Sequence, residues 1–273
     1  MRRAALLPVL LCAACTGAGL RLPFSSLHGN AVHRFFPDLD RRENAVRYGR
    51  WNALESAWIR GVNPEADRRL SGDLLATIRR LPDFPPDPRL SAPRLAREAP
   101  AIFGALEEAD RFEHEVTDAL AATDATPETT SSRVERSLVR YRRSRFALDA
   151  PPDSAIAPEL GRFETARLLL EGDWLFAQAA EDLAASSWRD QRWKVRETID
   201  RYDREIDSPP VGLEISWYQK FAPTFARDYP AAAELFDRAT RYRVEIFAAL
   251  LAAGPADRHS VAAGIERRYG LHE

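Results

Sequence analysis

Two stretches of this chain constrain its fold more than any other feature. Residues 92–116 read APRLAREAPAIFGALEEADRFEHEV, and residues 222–246 read APTFARDYPAAAELFDRATRYRVEI. Laid over each other without a gap, at an offset of 130, they are identical at nine of 25 positions, including Pro93/Pro223, Arg97/Arg227, Pro100/Pro230, Arg111/Arg241 and Glu115/Glu245. Chance in such a composition gives roughly two. Glu98/Asp228, Phe112/Tyr242 and Val116/Ile246 are close substitutions. The surroundings keep the same order: Gly49-Arg50-Trp51 is echoed by Gly172-Asp173-Trp174, Thr77-Ile78 by Thr198-Ile199, and Arg140-Tyr141 by Arg268-Tyr269. Self-similarity at a fixed offset is the mark of a repeated supersecondary unit. It predicts two helical units of roughly a hundred residues each, spanning 40–150 and 151–273, packed about an approximate two-fold axis with a junction near 151–158.

Helix-period patterns recur along the chain, and strand alternation does not, so the fold class is all-α, a duplicated helical bundle. Val46, Trp51, Leu54 and Trp58 fall on one broad face, closed by Gly61. Asn63-Pro64-Glu65 and Thr126-Pro127-Glu128 each place a capping side chain ahead of proline at the first helical position. Pro100 opens a longer segment with Phe103, Leu106, Phe112, Val116 and Leu120 on its apolar side, and proline-rich breaks at 81–88, 150–154 and 207–210 separate the helices. Arg111/Glu115 and Arg241/Glu245 have i,i+4 spacing, which predicts helix-surface ion pairs.

The amino terminus is of another kind. Arg2 and Arg3 precede an apolar run, Ala4 to Ala14, which has the build of a secretory signal peptide and is too short to span a bilayer. The chain's only two cysteines are Cys12 and Cys15. Cys12-Ala13-Ala14-Cys15 resembles the lipobox of bacterial lipoproteins, in which small residues precede a lipidated cysteine. The resemblance implies cleavage after residue 14, acylation of Cys15 with palmitate-type chains, and a tether over 15–39. It also implies location at the cell envelope. Thr16, rather than Asp, after the acceptor implies the outer membrane, facing the periplasm. More than one acyl chain is needed for stable anchoring.

Other chemistry is sparse. The net charge is −2, and no polyanionic partner such as nucleic acid is required. The run Arg140 to Arg145 reads as a solvated helix end that suits the helix dipole. His114-Glu115-Val116-Thr117-Asp118 resembles half of a zinc motif, but its second histidine is replaced and no third ligand is evident. His28 and His33 read as polar linker residues, so no metal site is expected. No phosphate loop, nucleophile elbow or haem motif is found, so no cofactor and no catalytic residue is assigned. Trp51 and Trp174, at echoed positions, are candidate walls of a ligand groove between the halves, with Arg97 or Arg227 as an anion contact. The leading expectation is a non-enzymatic, lipid-anchored envelope protein that binds or scaffolds an envelope protein partner. An envelope hydrolase with a polar site between the repeats and a periplasmic small-molecule carrier are the alternatives.

Overall fold

The computed structural model describes residues 29–61, 63–148, 163–184, 187–207, 218–253 and 256–271. The segment read as a signal peptide, Cys15, His28 and residues 151–158, read as a junction, lie outside them. The described residues form an all-α body of thirteen helices, with no β-strand among them. No helix among them is long and apolar enough to cross a membrane.

The helices are α1 (Ala31–Phe35), α2 (Pro37–Arg60), α3 (Pro64–Arg80), α4 (Pro88–Ser91), α5 (Pro93–Glu98), α6 (Pro100–Ala121) and α7 (Pro127–Arg142). They continue as α8 (Glu164–Ala184), α9 (Trp188–Glu205), α10 (Tyr218–Phe221), α11 (Pro223–Asp228), α12 (Pro230–Ala252) and α13 (Arg258–Arg268). From α2 to α7 the lengths are 24, 17, 4, 6, 22 and 16 residues. From α8 to α13 they are 21, 18, 4, 6, 23 and 11.

Proline opens α2 through α7, α11 and α12 at the first helical positions, where its missing N–H costs no hydrogen bond. Asn63 caps α3 by accepting from the N–H groups of Glu65 and Ala66, as its spacing predicts. Thr126 caps α7 by accepting from Thr129. Other helix starts borrow a carboxylate from a distant helix. Glu55 accepts from the Arg94 and Leu95 amides (3.0 and 2.9 Å) at the start of α5, and Glu181 accepts from Thr224 and Phe225 (2.8 and 3.1 Å) at the start of α11. Asp67 accepts from Glu164 and Thr165 at the head of α8, and Asp118 from Val32 in α1. Each carboxylate satisfies orphan donors and meets the positive end of a helix dipole. They also pin one helix to another.

Val32, Phe36 and Leu39 are buried, so the helical body begins at Ala31 and takes in the last residues of the span read as a tether. His33, read as a linker residue, hydrogen-bonds to Asp40 at 2.8 Å.

Two apolar clusters make the core. One gathers Phe112, Tyr218, Phe225 and Phe236 with Val46, Trp174 and Tyr202. The other gathers Trp51, Trp58, Phe103, Tyr242, Phe247 and Tyr269. The rings meet mostly edge-on or tilted, as at Phe112–Phe236 (5.4 Å) and Tyr242–Tyr269 (4.6 Å). Two glycines bring the long helices close. A Cβ on Gly49 would fall 1.8 Å from Leu74, and one on Gly172 would fall 2.5 Å from Val46. Gly172 thereby lets α8 approach α2 where the next residue, Asp173, meets Arg50.

Candidate functional site

The four long helices α2, α6, α8 and α12 deliver a set of charges to the interior. Glu43, Arg47 and Arg50 lie at i, i+4 and i+7, on one face of α2. Asp110 and Glu113, at i and i+3, share a face of α6. Asp173 comes from α8 and Arg243 from α12. All seven are buried.

Arg243 is the hub. Its Nη1 donates to Glu113 Oε1 at 2.8 Å and its Nη2 to Glu113 Oε2 at 2.7 Å, a two-pronged pair. Nη2 also donates to Asp110 Oδ1 at 3.0 Å and Nη1 to Asp173 Oδ1 at 3.4 Å. Arg50 donates to Asp173 through Nη2 and lies 3.7 Å from Glu113 and 3.9 Å from Asp110. Its guanidinium covers the Phe176 ring at 4.6 Å. The remaining Asp110 oxygen accepts from the Trp51 indole at 3.1 Å. Three buried carboxylates thus face two buried guanidiniums.

Electrostatics follow from that arrangement. Burial pushes the Glu113 carboxyl up, but Arg243 and Arg50 outweigh it and hold the group below the usual carboxylate range. Burial disfavours the charge on Arg243, yet Glu113, Asp110 and Asp173 more than offset this and raise its pKa. At Asp173 burial wins over Arg50 and Arg243, and the pKa is raised. A small hollow lies against the outer edge of the cluster, between Arg50, Asp173 and Arg243 on one side and Leu54, Leu170 and Phe247 on the other. The centre of a water molecule has about 30 Å³ in which to move there, enough for water and little more.

Of the four candidate site residues read from the sequence, only Trp51 meets the cluster, through its indole on Asp110. Trp51 is buried in the second apolar cluster, its ring tilted against that of Phe103 at 4.9 Å. Trp174 is in the first cluster, with Arg201 over its ring at 4.7 Å. Arg97 and Arg227 stand on the surface, each paired with its sequence neighbour, Glu98 (2.9 Å) and Asp228 (2.7 Å). None of the four lines the hollow. His114 and Asp118 are both buried, with Asp118 occupied as the α1 cap. Among the described residues no three histidine, cysteine or acidic side chains gather in a way that could hold a metal ion. The predicted pair Arg111–Glu115 gives way to a stronger arrangement. Arg111 turns to Glu108 at 3.1 Å, and Glu115 receives Arg140 of α7 at 3.0 Å. Glu245 is likewise held by Arg268 at the end of α13 and by Tyr269 just after it (2.8 Å). In each case an arginine from the next helix, rather than the same-helix partner, reaches a largely buried carboxylate.

The residues that make the cluster were not anticipated, apart from Arg50 and Asp173 as parts of an echoed motif. One signal was present. Glu113 and Arg243 occupy matched positions of the two aligned segments, with opposite charge. Comparison with protein-family models, with curated proteins and with solved structures gave no match.

Proposed function

We propose that this chain is a lipid-anchored protein of the bacterial cell envelope, acylated at Cys15, whose duplicated helical body binds or scaffolds an envelope protein partner and is not itself a catalyst. The observation that carries the non-catalytic reading is the state of the central charges. Asp110, Glu113, Asp173, Arg50 and Arg243 are buried inside the bundle and engaged with one another, and the hollow that reaches them has room for little more than water. A hydrolase between the two halves would need such groups in an open cleft, free to meet substrate and water. A small-molecule carrier would need far more room than the hollow beside them, since ligand pockets run to about 300–1,000 Å³.

Support for the duplication comes from three features. Helix lengths recur in order from α2–α7 to α8–α13. Glu55 and Glu181 cap the matched short helices α5 and α11 in the same way. Glu115–Arg140 and Glu245–Arg268 join matched helix pairs. On this reading the central ion pairs lie at the junction of two copies, and Glu113–Arg243 joins equivalent positions across it. The buried lattice then acts as a key that fixes how the copies sit, leaving outer helix faces for a partner.

Native mass spectrometry of the protein extracted from its own membranes tests this. The expected species begins at Cys15, carries acyl chains, and associates with another protein in fixed stoichiometry. A species without lipid overturns the anchor. A retained small molecule in place of a protein overturns the scaffold role.

A further inference from the structure

The fold accounts for only one of the arginines at the end of α7. Between 136 and 145 stand Arg136, Arg140, Arg142, Arg143 and Arg145, with no acid among them. Arg140 donates to Glu115 at 3.0 Å and to Glu108 at 2.6 Å, and so clamps α7 to α6. The matched Arg268 does the same for Glu245. The other arginines have no such counterpart. At the positions matched to Arg136 and Arg143, in and just past α13, stand Gly264 and Leu271. The dipole of α7 favours cations in its last turn, Arg140 and Arg142, but Arg136 lies a turn earlier and Arg145 beyond the end. Arg136, Arg142, Arg143 and Arg145 are all exposed, and none forms an ion pair among the described residues.

Arg136, Arg140 and Arg143 fall at i, i+4 and i+7 on one face of the helix, about 10 Å from end to end. With Glu135 and Val139 they line an open hollow of about 440 Å³, within the range of about 300–1,000 Å³ typical of ligand pockets. Glu108 and Glu115 fix the Arg140 guanidinium at the wall, and its Nη2 keeps no hydrogen-bond partner. Arg136 is steadied by the Ser132 carbonyl, which accepts from its Nε at 3.3 Å. The acids of the neighbouring helix are already engaged: Glu107, Glu108 and Glu115 meet Arg111 and Arg140. Glu135 is then the one acid of the hollow set against four unpaired guanidiniums, and the face is positive. A guanidinium presents a fork of N–H donors that fits an oxyanion. A carboxylate fills one fork, whereas a row of three suits a group with several oxygens and two negative charges. We propose that this face of α7 binds a phosphate monoester, carried by a small phosphorylated molecule or by a lipid headgroup, with Arg136 and Arg143 as the donors and Arg140 as their fixed support. The assignment depends neither on the lipid anchor nor on a protein partner.

Calorimetric titration of the full chain at low salt tests this with three probes: inorganic phosphate, glycerol 1-phosphate, and dihexanoyl phosphatidic acid below its micelle concentration. Binding at a single site is expected, weakened by added salt and not displaced by acetate at equal ionic strength. Arg136→Ala and Arg143→Ala should each weaken it roughly tenfold, with circular dichroism unchanged. Glu135→Gln should tighten it about threefold, a gain that misfolding cannot produce. Arg97→Ala, on a surface pair elsewhere, should change nothing. Tighter binding of phosphatidic acid than of glycerol 1-phosphate assigns the site to a lipid headgroup, and the reverse order assigns it to a free phosphorylated molecule. Three outcomes would overturn the proposal: no binding of any probe, binding indifferent to Arg136 and Arg143, or acetate competing as well as phosphate.

Discussion

Two buried polar regions lie side by side along α2 and α6, and they settle their charges differently. Around Arg243 each charge meets opposite charge, and Glu113 is held as a carboxylate. One turn away, Glu43 and Arg47 are fully buried and share one contact of 3.3 Å. There Glu43 Oε1, Arg47 Nε and Nη1, and His114 Nδ1 have no hydrogen-bond partner. Burial, opposed by Arg47 and reinforced by Asp40, pushes the Glu43 carboxyl up to about 7. Burial and then Arg47 push His114 down to about 3. The same helices therefore hold one region ionised and drive the other toward neutrality. The difference lies in partner count: two guanidiniums offset the desolvation of Glu113, though not of Asp173, and a single stretched pair does not do so for Glu43.

The sharpest way to break this contrast is Arg243→Met. It strands Asp110, Glu113 and Asp173 without their hub. The expected loss of unfolding free energy in urea is about 3–5 kcal/mol. Next in size is the pH dependence of the second region. An unfolded chain protonates His114 below about 6.5, while the folded chain resists until about 3, so His114 removes stability as pH falls through that window. Glu43 acts in the opposite sense. Its folded carboxyl holds a proton up to about 7 and its unfolded one only to about 4.3. Its contribution is thus present at low pH and lost as pH rises toward 7. The two oppose each other across the mildly acidic range. Glu43→Gln should remove the second limb, leaving stability that rises steadily from pH 4 to 7 and exceeds the parent at pH 8 by up to about 3–4 kcal/mol. Chemical denaturation at a series of pH values would show a parallel, unshifted curve if Glu43 were an ordinary carboxylate.

Gly172→Ala perturbs the approach of α8 to α2. Its Cβ must displace Val46, and a repacking cost of about 1–3 kcal/mol should exceed the gain of about 1 kcal/mol in helix propensity. The midpoint of thermal unfolding should fall by a few degrees. At the bottom of the scale, Arg97→Ala and Arg227→Ala remove exposed pairs. Neither should move the unfolding midpoint beyond error, because solvent screens such pairs.

The helices were legible in the sequence because their starts are marked. Asn63-Pro64 and Thr126-Pro127 cap and open helices where spacing and proline chemistry place them. Val46, Trp51, Leu54 and Trp58 are all buried, as their shared face predicts. The charged interior was not legible for a physical reason. Helix α2 buries Glu43, Arg47 and Arg50 as well as its apolar side, so the usual polar stripe that marks solvent is also inside. From one helix alone, Glu43-Arg47 looks like a surface i,i+4 pair. Only partners far along the chain, such as Arg243 for Glu113, reveal burial. The same limit explains Arg97 and Arg227. Their recurrence marks matched helix entries, and recurrence alone does not distinguish a structural repeat from a binding contact.

The most direct test of the central lattice is a charge exchange between matched positions. Glu113→Arg and Arg243→Glu would be made singly and together, and stability measured by urea unfolding. If the lattice is the key that seats the two halves, each single exchange should unfold the protein or cost several kcal/mol, and the double exchange should recover a substantial part of the loss. Single variants that unfold at the parent's urea concentration, or a double variant no better than the worse single, would contradict it.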